Sequence, residues 1–172
     1  DADILLASPR ALREVLAEEW AGRDADLPYR TPYEALIMAS LVEKETGVAE
    51  ERQQIAGVFV RRLQKGMLLQ TDPAVIYGLG ESFDGNLTRE HLRTPGPYNT
   101  YLNAGLPPSP IALPGRAAIR AALHPAPGST LYFVARGDGS HEFSASLEEH
   151  NRAVRKYQLQ RRGTTYRSRP QG

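Results

Sequence analysis

Eight consecutive residues, Ala35 to Val42, include a single polar side chain, Ser40, and run straight into two glutamates, Glu43 and Glu45. A helix that is apolar on every side is buried rather than half-exposed, so this segment constrains the fold more than any other. Its start is written locally. Thr31 suits the N-cap, Pro32 the first helical position, and Glu34 completes a capping box. Gly47 marks the expected C-terminus. Both glutamates then fall in the last turn of a buried helix. Apolar surroundings raise a carboxyl group's proton affinity, and the negative end of the helix dipole raises it again. A glutamic acid so placed keeps its proton near neutral pH, which is what a general acid needs. At about 100° per residue, Glu45 lies in line with Met38 and Leu41, and Glu43 with Leu36 and Ala39. The pattern alone does not choose between them. A glutamate at a helix end is more often solvated or salt-bridged, and it is the apolar approach that weighs against that reading here.

The chain has 172 residues and a net charge of +1. That length fits one domain with a real core, and that charge gives no electrostatic case for nucleic acid or an anionic membrane. The absence of cysteine excludes a disulfide scaffold, a thiolate zinc site and a cysteine nucleophile. No run reaches the roughly 18 apolar residues of a membrane helix, and no signal-peptide pattern opens the chain. The first residues, DADILLASP, read as the middle of a longer protein. The expectation is a soluble piece whose missing part holds a membrane anchor.

Further helices are marked by their punctuation. Ser8-Pro9 opens one that Gly22 stops; another runs from about Glu50 to Lys65 before Gly66, with Ile55, Val58, Phe59 and Leu63 on one face and Arg52, Arg61 and Arg62 toward the other. Asp72-Pro73 reads as an N-cap with proline at the first helical position. From Gly78 to Gly115 the chain is dense in Gly, Pro, Asn and Thr, but Tyr98, Tyr101, Leu106, Ile111 and Leu113 are mixed in and argue for packing over a linker. RAAIRAAL forms a short helix up to His124-Pro125. TLYFVAR and HEFSAS form a hairpin around the Gly137–Ser140 turn. Ser146 and Glu149 then make a second capping box for a helix through Tyr157, and residues 160–172 form a basic, flexible tail.

Most chemistry-bearing motifs are missing. There is no phosphate loop, HExxH or GxSxG elbow, and the four histidines, His91, His124, His141 and His150, are scattered. Neither a metal nor a cofactor is expected. Ser109 lies between prolines, a poor place for a nucleophile. Glu43, Asp72, Glu81 and Asp84 are available as a second carboxylate of a glycosidase, none compelling by context. The loops do offer sugar-compatible chemistry. Gln70, Thr71, Asn99 and Thr100 are neutral hydrogen-bonding groups, and Tyr77, Tyr98 and Tyr101 present flat faces with a polar tip. Taken singly, each of these is more ordinary as a turn cap or a core residue.

Several segments in order, namely ASLVEKETG, ERQQIAGVFVRRLQKGMLLQTDPAVIYGLG, PYNTY, GLPPSPIALPG, AALHPA, LYFVARGDGSHEF and EEHN, resemble the YceG-like family of endolytic murein transglycosylases over roughly Leu36 to Tyr157. The resemblance implies an α+β fold: a mostly helical catalytic domain over residues 1–159, with a small antiparallel β-hairpin, distantly lysozyme-like around the acid-bearing helix. It implies cleavage within nascent peptidoglycan strands, at the β-1,4 bond between N-acetylmuramic acid and N-acetylglucosamine, leaving 1,6-anhydromuramic ends. The family's catalytic glutamate falls on Glu45, with Glu43 as the secondary candidate. Gln70, Thr71, Tyr98, Asn99, Thr100 and Tyr101 become substrate-binding residues. Family members carry an N-terminal membrane helix and a LysM-like module, act at the periplasmic face of the bacterial inner membrane, and have cell-wall synthases as candidate partners. Two alternatives stand beside this reading: a hydrolytic muramidase, and a non-catalytic module that binds glycan or a synthase.

Overall fold

In the computed structural model, residues 8–160 are described. They form seven α-helices and one two-stranded antiparallel sheet: α1 (Pro9–Ala21), α2 (Pro32–Glu45), α3 (Arg52–Gln64), α4 (Asp72–Leu79), α5 (Arg89–Arg93), α6 (Arg116–Leu123), β1 (Tyr132–Ala135), β2 (His141–Ser144) and α7 (Leu147–Gln160). Two single 3-10 turns, Ala49–Glu51 and Gly80–Ser82, precede α3 and follow α4. This is the expected α+β class. Of the expected basic tail, residues 161–172 lie outside the described residues, and Gln160 instead ends α7.

α2 is the centre of the molecule. Every residue from Ala35 to Val42 is buried, and Met38, Ala39, Leu41 and Val42 are fully so. Each large apolar side chain withdrawn in this way contributes about 1.5–3 kcal/mol. α6 packs along α2 more extensively than any other pair of elements pack, and α3 and α4 flank it. The polar exception, Ser40, has a structural role. Its hydroxyl donates to the Ile37 carbonyl at 2.6 Å and accepts from the Ile111 N–H at 3.0 Å, pinning the Pro-rich loop to the helix.

The helix starts follow local chemistry with differences in detail, and the Ser146–Glu149 pair is not a reciprocal box, since the Glu149 carboxylate accepts from the Ala145 N–H at 3.3 Å. The Thr31 hydroxyl accepts from the Glu34 N–H at 3.3 Å, but the Glu34 carboxylate reaches back to the Arg30 N–H at 2.9 Å, one residue beyond a reciprocal box. At α4 the N-cap is Thr71, so Asp72 and Pro73 are the first two helical residues. The Thr71 side chain makes no capping bond, because its hydroxyl is engaged elsewhere. α2 ends at Glu45 with Thr46 as C-cap, ahead of Gly47. The helix expected from Glu50 begins as the 3-10 turn and becomes α-helical at Arg52.

The hairpin pairs Tyr132 with Ser144, Phe133 with Phe143, Val134 with Glu142 and Ala135 with His141. α7 covers it through Ala153 and Tyr157 against Val134. The expectation that Arg62 lies toward the side of α3 opposite its apolar face is corrected here. Arg62 is buried; its guanidinium donates to the Leu131 carbonyl at 2.6 Å and the Leu68 carbonyl at 2.7 Å, and lies over the Tyr132 ring. Arg61 donates to the Thr130 carbonyl and hydroxyl and to the Ala126 carbonyl, at 2.7–2.9 Å. Both charges stay because carbonyl oxygens replace the water they leave. The two arginines hold the chain entering the hairpin against α3, an attachment reinforced by Glu51, whose carboxylate accepts from the His141 N–H at 2.8 Å.

Candidate active site

The two glutamates at the end of α2 diverge. Glu43 Oε1 accepts from the Gly115 N–H at 2.7 Å. Gly115 is the N-cap residue of α6, so Glu43 ties the end of one helix to the start of the next. Its charge sits where the positive end of the α6 dipole favours it. Glu45, half-buried, faces the opposite connection: its Oε2 accepts from the Thr71 hydroxyl at 3.0 Å. A threonine at a helix N-cap ordinarily satisfies the helix's own N–H groups. Thr71 gives its hydroxyl to Glu45 instead.

The segment that presents Thr71 is held by Thr100. The Thr100 hydroxyl accepts from the Thr71 N–H at 3.0 Å and donates to the Thr71 carbonyl at 3.2 Å; the Gln70 N–H donates to the Thr100 carbonyl at 3.2 Å. Gln70 adopts φ +50°, a left-handed conformation that costs a non-glycine residue on the order of 1–3 kcal/mol and that collects at functional sites. Its side chain is exposed, whereas Thr71 and Thr100 are buried. Next to Thr71, Asp72 Oδ1 accepts from the Tyr101 hydroxyl at 2.5 Å. Burial, then the Asp72 carboxylate and Glu45, push the Tyr101 phenol well above its ordinary range, while Arg62 acts in the opposite direction. Tyr101 therefore keeps its proton and is the donor to Asp72.

Tyr98 and Asn99 sit further along the same loop. The buried Asn99 amide is engaged within the loop: it donates to the Leu92 and Thr94 carbonyls at 3.0 and 2.8 Å and accepts from the Tyr101 N–H at 3.0 Å. The Tyr98 hydroxyl pairs with the Ser109 hydroxyl at 2.6 Å, and its ring meets Tyr77 edge-on with 4.9 Å between centroids. Gly78 permits that approach, since a Cβ there would lie 2.9 Å from the Tyr98 Cβ. The structure thus brings Glu45, Thr71, Thr100, Gln70, Asp72 and Tyr101 into one connected group. Asn99 shapes the loop that carries Tyr101, and Glu43 belongs to a separate contact. Ser109 escapes a sequence reading because its partner is eleven residues away and its flanking prolines suggest only a turn.

Among the described residues, no three His, Cys, Asp or Glu side chains are grouped as a metal site would need, and no helix is long and apolar enough to cross a membrane. His91 caps α5 by accepting from the Thr88 N–H, His124 pairs with Asp24, and His141 pairs with Glu51.

Comparison with known proteins places this arrangement in a family. The chain is 46% identical over 125 residues to the endolytic murein transglycosylase of Bacillus subtilis, covering 73% of this chain and 34% of that protein. It is 37% identical over 129 residues to the protein of the same name from Streptococcus pneumoniae, covering 72% of this chain and 23% of that one. It therefore spans about a third or less of the relatives it matches. A crystal structure of a YceG-like protein from Listeria monocytogenes superposes with a TM-score of 0.69 at 41% identity, covering 82% of this chain and 43% of that one. The profile of the YceG-like family matches residues 2–156, and the chain belongs to that family.

Proposed function

We propose that this domain is the catalytic unit of a lytic transglycosylase that cuts within peptidoglycan glycan strands at the β-1,4 bond between N-acetylmuramic acid and N-acetylglucosamine. Glu45 is the acid and the base. Its protonated carboxyl delivers a proton to the glycosidic oxygen as the bond to the muramic C1 breaks. The carboxylate then takes the proton from the C6 hydroxyl of the same sugar as that oxygen closes on C1. The product ends in 1,6-anhydromuramic acid, no water is consumed, and the side chain returns to its starting state. A single residue suffices because the nucleophile belongs to the substrate.

The observation that carries this reading is the parting of the two glutamates. Glu43 is committed to Gly115, whereas Glu45 faces a polar, strained segment bearing Gln70 and Thr71. The names of the Bacillus and Streptococcus relatives support the substrate class. Gln70 and Tyr101 are the proposed sugar contacts, with Thr71, Tyr98, Asn99 and Thr100 supporting them. Action on nascent strands outside the cytoplasm, next to cell-wall synthases and through an anchored full-length protein, completes the proposal. Digestion of purified peptidoglycan followed by mass spectrometry tests it. The expected products carry anhydro ends; products one water heavier at the reducing end would make the enzyme a hydrolase, and no product would make the domain a binding module.

A further inference from the structure

Glu45 and Asp72 occupy opposite helix ends. Glu45 closes α2, where the dipole disfavours negative charge; Asp72 opens α4, where it favours it. The adjacent residues Thr71 and Asp72 reach in two directions, the Thr71 hydroxyl to Glu45 and the Asp72 carboxylate to the Tyr101 hydroxyl. A phenol donating to a carboxylate stabilises the charged form. We propose that Asp72 is the second carboxylate of the site: it stays ionised on the α4 N-terminus and Tyr101, and its negative charge holds the proton on Glu45. Asp72 is a positioning residue, acting on the sugar only through Glu45. The inference rests on the transglycosylase reading for its purpose, but not for its test.

The electrostatic surroundings agree with this assignment. Both carboxylates act on the Tyr101 phenol in the same sense, so both lie within its field. The charged groups on elements packed against α2 are Arg52, Arg61 and Arg62 on α3, Asp72 on α4, Arg116 and Arg120 on α6, and Arg10, Arg13, Glu14, Glu18 and Glu19 on α1; Arg61 is turned to Ala126 and Thr130, and Arg10 pairs with Glu14. Arg116 and Arg120 are both paired with Glu19, and Arg116 also with Glu18. Arg62 opposes Asp72 at Tyr101, but its guanidinium is turned to the Leu68 and Leu131 carbonyls. On α2 itself, Glu43 is bonded to Gly115 and Lys44 is exposed. The Thr71 hydroxyl lowers the Glu45 proton affinity; a like charge at Asp72 raises it.

Carbon-13 NMR of the side-chain carboxyls, with Glu45 assigned through Glu45→Gln, follows each group directly. In the unaltered protein Asp72 should titrate at lower pH than Glu45. Asp72→Asn should lower the Glu45 midpoint by about half to one pH unit. Tyr101→Phe, which leaves Asp72 on the α4 N-terminus, should lower it by less. The proposal is overturned if Glu45 loses its proton before Asp72, if Asp72→Asn leaves the Glu45 midpoint in place, or if both variants lower it alike, since that would report loosened packing. Should Asp72→Asn fail to fold, the order of titration in the unaltered protein decides alone. A protein that shows the expected order but releases no anhydro ends keeps this inference and loses the proposed function.

Discussion

Truncating Glu43 to alanine removes the acceptor that the Gly115 N–H meets at 2.7 Å. Several effects enter the balance. A hydrogen bond to a charged group contributes about 1.5–3 kcal/mol, and because Gly115 is only half-buried, water replaces part of it and the lower end applies. The glutamate sits at the unfavourable end of the α2 dipole and the favourable end of the α6 dipole, each about 0.3–1 kcal/mol, so these nearly cancel. Alanine's better helix propensity returns a few tenths of a kcal/mol. The net loss is about 1–2 kcal/mol, which for a domain of this size lowers the melting temperature by about 2–8 °C. Calorimetry on Glu43→Ala measures the loss, and product release at 25 °C measures the catalytic consequence, expected within about twofold of the parent. An unchanged melting temperature would show that the contact to Gly115 carries no weight. Loss of product from a fully folded Glu43→Ala would show that the two glutamates have been assigned the wrong way round.

Thr71→Val keeps the volume and removes the hydroxyl that meets Glu45; kcat/KM should fall about 5- to 30-fold with a folded protein, and an unchanged rate would remove Thr71 from the site. Gly57→Ala should improve α3 by about 1 kcal/mol on propensity alone. Its Cβ would instead lie 2.5 Å from the Ala126 carbonyl that Arg61 holds, so overpacking of about 1–3 kcal/mol plus a strained arginine bond should win, and a higher denaturation midpoint would refute this. Burial pushes the Glu19 carboxyl up, but Arg116 and Arg120 outweigh it and hold it below the ordinary glutamate range. A depressed native value means stability that is present above the unfolded value and lost as pH falls through the native one. Glu19→Gln should therefore be less stable at pH 7 by up to about 1 kcal/mol, the difference closing below the ordinary glutamate range; a difference that persists in acid would mean that packing, not charge, is responsible.

What the sequence made legible was local. Ser8-Pro9, Thr31-Pro32 and Ser146 with Glu149 announce helix starts because each cap is satisfied within four residues. The hairpin was legible because turn chemistry and β-forming residues occur side by side. Periodicity misplaces Arg62 because its carbonyl partners come from Leu68 and from Leu131, 69 residues away. The helical pattern shows a charge but not the backbone that receives it. The choice between Glu43 and Glu45 was closed to periodicity for the same reason. Their partners, Gly115 and Thr71, lie 72 and 26 residues downstream, and only the resemblance to the YceG-like family pointed to Glu45. In the sequence, Gln70, Thr71 and Thr100 read as sugar-compatible groups. The structure gives two of them a further task, since Thr100 holds the backbone of Thr71 and Thr71 holds the acid.

One comparison weighs most. Purified peptidoglycan is digested with the parent and with Glu45→Gln, and the muropeptides are resolved by mass spectrometry. The parent should release anhydro-ended strands from internal cuts, and Glu45→Gln, folded and melting like the parent, should release none. Anhydro ends from Glu45→Gln at the parent's rate would mean that the proton comes from another group and that the site has been misassigned.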